Sequence, residues 1–175
     1  MLPGVTLTTP GQQGVAFDYP ETGATYRDNA LGKALTLHEA TGLPVVADDS
    51  GLEVTALDGA PGVLSARFGD TKARKLTSDE RNYLLLARLE GRSDREATFI
   101  CCLVVVLSAR RLYIIQEEMA GEIALAPSGG SGFGYDPVFL VSALGRTVAQ
   151  LTAAEKDHLS HRGKAARACA RLLKV

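Results

Sequence analysis

Two strand-length apolar runs, ATFICCLVVVL (97–107) and RLYIIQEEMAGEI (111–123), are separated by only three residues, Ser-Ala-Arg. So short a link forces the second run back antiparallel to the first, because a parallel crossover needs a dozen or more residues. Any fold must be built around this hairpin. Upstream, Ala30, Ala34, Leu37 and Ala40 recur at three- and four-residue steps and predict a helix over 26–41, ended by Gly42 with Pro44 beyond. Val45–Ala47 reads as a short buried strand running into Asp48 and Asp49. A second helix starts near Thr77, where Thr77 and Glu80 have capping-box spacing and Tyr83, Leu84, Leu86 and Leu89 form an apolar face. A glycine-rich stretch, APSGGSGFGYDPVFL (126–140), leads into a last helix over 162–173, capped by Ser160. Residues 1–23 read as loop with one or two short strands. Helices and strands interleave without a regular βαβ rhythm, so the expected fold is α/β, a mixed sheet with flanking helices, as one domain over 1–175.

Bulk properties narrow the function. The chain carries 19 basic and 20 acidic residues, net −1, which argues against a protein that coats duplex nucleic acid by neutralising phosphates. A small phosphorylated ligand needs only a few local cations and stays open. Cys101 and Cys102 lie in an apolar run without C-x-x-C spacing or a nearby His, so they read as buried small hydrophobes. No basic-then-apolar leader and no membrane-length apolar stretch is present, and a soluble cytoplasmic protein is expected.

Four clusters carry candidate chemistry, and each has a plain alternative. DDSG (48–51) is an ordinary turn sequence; it is also how paired carboxylates at a strand end would hold Mg²⁺ and orient a water. SGGSGFGYD (128–136) reads as a flexible loop, yet Phe133 and Tyr135 beside Asp136 suit a purine that is stacked and read along an edge. EKDHLSHRG (155–163) reads as a solvated helix start, yet Lys156, His161 and Arg162 place three donors where a carbonyl-bearing base or a phosphate would sit. PETGATYRDNALGKA (20–34) reads as surface charge, yet Lys33 lies on the helix that runs toward the strand delivering Asp49. Together the four supply the parts of a metal–nucleotide site, and they are expected to converge on one cavity.

VVADDSGLEVTALDGAPGVLSARF, GGSGFGYDPVF and EKDHLSHRGKA, in this order, resemble the inosine triphosphate pyrophosphatase family. The resemblance implies a deep nucleotide cleft, a homodimer, and Mg²⁺-dependent cleavage of ITP, dITP or XTP to the monophosphate and pyrophosphate. It makes Asp49 the catalytic carboxylate and a metal ligand, with Glu21 the second metal ligand. It puts Ser50 and Lys33 on the phosphates, and Phe133, Gly134, Tyr135, Asp136, Lys156, His161 and Arg162 around the base. The family's opening T-G-N-x-x-K loop has no counterpart here, since TTPG (8–11) lacks both the Asn and the Lys. The chain therefore reads as N-terminally shortened relative to the family. Two other classes fit part of the pattern: a nucleotide-binding module impaired in catalysis, and a metal-dependent phosphatase of another kind built on Asp48 and Asp49.

Overall fold

The structure, a computed structural model, describes residues 5–173. Its elements are α1 (Tyr26–Thr41), β1 (Val45–Val54), β2 (Pro61–Gly62), α2 (Ser78–Arg88), β3 (Glu96–Ser108), β4 (Arg111–Ile123), β5 (Phe139–Val141), β6 (Arg146–Thr147), α3 (Ala153–Leu159) and α4 (His161–Leu172). The strands form one sheet in the order β2-β1-β3-β4-β5-β6, and every pairing among the described residues is antiparallel. The predicted hairpin is its centre, with helices on both faces.

β3 is buried on both sides, which is why its sequence runs apolar without alternation. On one face Ile100, Cys102, Val104 and Val106 pack against Tyr26, Ala30 and Ala34 of α1, whose small side chains let helix and sheet approach closely. On the other, Cys101 and Val105 meet Ala165 and Cys169 of α4. Both adjacent cysteines are buried and free. A third cluster, around Leu52, Val54, Leu85, Leu89, Phe99 and Phe139, closes the end of the sheet nearest α2. Each fully buried Val, Leu, Ile or Phe among these contributes roughly 1.5–3 kcal/mol.

α1 spans the predicted residues, with Thr25 Oγ1 accepting the Asp28 N–H at its start and Gly42, at φ 68°, ending it. α2 has the predicted capping box between Thr77 and Glu80. Its inward face differs in part from expectation: Leu89 is buried and Leu86 packs against the core as predicted, but Asn82 and Leu85 are the buried positions within the helix and Tyr83 is 64% exposed. The polar Asn82 on that stripe hides the true periodicity. Residues 5–23 contain one 3-10 turn, Gly11–Gln13, and no strand. β1 is also longer than predicted. Instead of stopping at Ala47 it continues through Asp48, Asp49 and Ser50 to Val54, paired with β3 over its whole length.

Candidate active site

Because β1 does not turn at DDSG, its residues alternate between the two sheet faces. Asp48 and Ser50 face α4: Ser50 Oγ and Arg162 Nε both donate to Asp48 Oδ2, at 3.0 and 2.9 Å. Asp49 faces α1, where Asn29 Nδ2 donates to its Oδ2 at 3.0 Å and Lys33 Nζ lies 3.5 Å from its Oδ1. Opposite faces, each with its own donors, remove the repulsion that made the adjacent carboxylates look like a turn.

The α4 side opens into a cavity of about 560 Å³. Ser50 and Gly51 form one wall, the Phe133–Asp136 segment and Lys156 another, and Ser160–Gly163 a third. Phe133 is 63% exposed, with Lys156 Nζ 4.4 Å and Arg162 Cζ 5.4 Å from its ring centroid. Tyr135 is buried instead, its hydroxyl donating to Ser65 O at 2.9 Å, so Phe133 alone offers an open aromatic face. Asp136 Oδ2 accepts from Phe133 N at 2.8 Å and from Lys156, which fixes the glycine-rich turn. Gly134, at φ 61°, makes that turn possible, and Asn82 Nδ2 holds its carbonyl from below at 3.1 Å. His161 stacks on Phe99 with ring centroids 4.9 Å apart. Burial, then the neighbouring Arg162, Lys156 and Lys164 charges, push its pKa down to about 4, so it is neutral at physiological pH.

Glu21, Lys33 and Asp49 lie across the strand and are not part of that wall. Lys33 Nζ bridges them, 2.7 Å from Glu21 Oε1. Arg67 holds Glu21 from behind, donating to its main-chain carbonyl and lying 3.7 Å from Oε2. Burial raises the Asp49 pKa, against lowering by the Asn29 hydrogen bond and the Lys33 charge. Among the described residues no group of three or more His, Cys, Asp and Glu is arranged to hold a metal. Glu21 and Asp49 are carboxylates that share one ammonium, and Mg²⁺ is an ion commonly held by one or two carboxylates plus substrate phosphates.

The expected single hollow is thus divided by β1. Ser50, Phe133, Gly134, Tyr135, Asp136, Lys156, His161 and Arg162 gather on one side, and Asp49, Lys33 and Glu21 on the other. The sequence reading missed Asn29, Arg67 and Asn82. Asn29 and Asn82 had a signal, a polar residue interrupting an apolar helical stripe; Arg67 had none.

Residues 3–172 match the Ham1 family. The chain is 44% identical over 174 residues to a Treponema denticola protein named dITP/XTP pyrophosphatase, covering 99% of this chain and 90% of the relative. A Treponema pallidum protein of the same name is 44% identical over 173 residues, and the chain spans 64% of its length. The Staphylococcus aureus Ham1 protein superposes with a TM-score of 0.83 at 37% identity, covering 90% of this chain and 81% of that one. With the motifs, the fold and the sequence relatives agreeing over nearly its whole length, the chain belongs to the Ham1 family.

Proposed function

We propose that this chain hydrolyses deaminated purine nucleoside triphosphates, ITP, dITP and XTP, to the monophosphate and pyrophosphate, with Mg²⁺. The observation that carries the proposal is the arrangement about β1: an exposed ring beside two cations in a cavity of about 560 Å³, with a carboxylate–lysine cluster immediately across the strand. The names of the Treponema relatives support the same reading.

A purine stacks on Phe133, and Lys156 and Arg162 donate to its 6-oxo group. A 6-amino group would meet donors with donors and leave them unpaired, and mismatches of this kind discriminate strongly. The outer edge of β1 at Ser50 and Gly51 has no ladder partner among the described residues, since β2 pairs only with Leu52 and Glu53. The triphosphate tail crosses there. Ser50 and Lys33 meet the phosphates, and Asp49 orients the water that attacks the α phosphorus. Asp49 and Glu21 would hold Mg²⁺, which, when bound, supplies charge neutralisation for the leaving pyrophosphate and acidifies water.

Incubation with ITP, XTP, dITP, ATP and GTP in Mg²⁺ tests the proposal. Pyrophosphate is expected from the first three. Orthophosphate release, or equal turnover of ATP, would overturn it; ITP binding without hydrolysis would point to the impaired binding module. As in the family the sequence resembles, we infer a homodimer working in the cytoplasm; sedimentation of the purified protein reads its oligomeric state.

A further inference from the structure

Asn29 is 1% exposed, on the α1 face that meets the sheet, and its amide is used at both ends. Gly23 N–H donates to its Oδ1 at 2.8 Å, and its Nδ2 donates to Asp49 Oδ2 at 3.0 Å. A backbone N–H can only donate, so the oxygen must face Gly23 and the nitrogen Asp49; the network leaves no freedom to flip the amide. The segment bearing Glu21 and the strand bearing Asp49 are thereby joined through one side chain. Gly23 fits this role sterically, since a Cβ there would lie 2.7 Å from Asn29 Oδ1 and 3.1 Å from Asn29 N.

We propose that Asn29 is a positioning residue for Asp49, holding Oδ2 so that Oδ1 is turned toward Lys33 and Glu21, with Gly23 as its backbone anchor. This rests on the hydrolase reading above. An amide suits the task better than a lysine or arginine. It fixes one carboxylate oxygen without neutralising the charge that the other must present to a cation or a water. The remaining groups around Asp49 agree. Lys33 lies 3.5 Å from Oδ1, on the side away from Asn29's partner oxygen, and Glu21 is reached through the same ammonium.

Two variants test the idea by different routes. Asn29→Leu removes the donor at similar volume. Gly23→Ala leaves the amide in place but displaces it, and it remains decisive should Asn29→Leu fail to fold. Hydrogen-bonded partners of metal-ligating carboxylates are commonly worth 10–100-fold in affinity or activity. Both variants should therefore lower kcat for ITP by roughly 10–100-fold with KM within about threefold, because the base side of the site is untouched. Mn²⁺ binding, read by electron paramagnetic resonance with IMP present, should weaken by a similar factor. A kcat equal to wild type in either folded variant, or a fall confined to thermal stability, overturns the proposal. A wild type that binds Mn²⁺ yet releases no pyrophosphate defeats the hydrolase reading alone, and equal Mn²⁺ affinity in all three proteins then overturns this one. A wild type that neither binds Mn²⁺ nor hydrolyses overturns both.

Discussion

Replacing His161 by Phe should change how stability depends on pH, by an amount the structure sets. The imidazole stacks on Phe99, which stacks on Phe139 at 4.3 Å, and its buried Nδ1 has no partner. Its pKa falls from 6.5 to about 4, through burial first and the Arg162 charge second. A base whose pKa is depressed by folding binds its proton in the unfolded chain first. The native state is therefore fully favoured above pH 6.5 and loses that advantage as pH falls toward 4. The gap of roughly 2.5 units, at about 1.36 kcal/mol each, amounts to about 3 kcal/mol. That is a large share of the 5–15 kcal/mol of a typical domain. Phe keeps a flat ring against Phe99 but cannot titrate. Urea unfolding of both proteins, stepped from above pH 6.5 to pH 4, should show the wild type losing about 3 kcal/mol relative to His161→Phe. Other titrating groups, Asp49 among them, are common to both chains and cancel. Parallel curves, or a variant that weakens faster in acid, would mean that folding does not depress the His161 pKa.

Asp49→Asn should cut pyrophosphate release by roughly 10²–10⁴-fold, as loss of a positioned base does. In the metal-free wild type the Asp49 carboxyl should titrate above the ordinary carboxylate range, because burial raises its pKa; an NMR titration of the carboxyl carbons, with Asp49→Asn as the blank, reads this. Phe133→Ala removes a stacking partner worth about 1–3 kcal/mol per base, so calorimetry should find IMP bound roughly 5–150-fold more weakly. Gly163→Ala places a Cβ against the Asp157 carbonyl and 3.1 Å from Ser160 Oγ, disrupting the cap of α4; thermal unfolding should register a loss of about 1–2 kcal/mol.

The parts of this fold legible in the sequence are those specified by neighbours in the chain. The hairpin declares itself by two runs and a three-residue link. α1 declares itself by side-chain spacing, and α2 by a capping box whose partners are three residues apart. The length of β1 was not legible, because the groups that make Asp48 and Asp49 acceptable within a strand come from afar. Arg162 is 114 positions from Asp48, and Asn29 is 20 from Asp49. Local chemistry alone reads D-D-S-G as a turn; tertiary partners reverse that. α3 was missed despite its Thr152–Glu155 capping box, since seven residues are too few for an apolar stripe to show. In the site, the base-facing residues were found because aromatic and cationic side chains among glycines are conspicuous. Asn29 and Asn82 show in the sequence only as polar residues interrupting an apolar stripe, and the partners that give them their roles lie 20 and 52 positions away.

A strand whose neighbouring positions serve different sides of a wall makes the pairing frame itself part of the chemistry. Asp49 lies opposite Cys102. Sliding β1 by a single position along β3 would deliver Asp48 to Asn29 and Lys33 and turn Asp49 toward Arg162, exchanging the two compartments' contents without changing composition or overall compactness. Gly51 guards against that slip: any side chain brought to its place would collide with the Gly62 carbonyl and come within 2.7 Å of the Tyr26 ring. A residue with no side chain thus acts as the alignment key for two carboxylates.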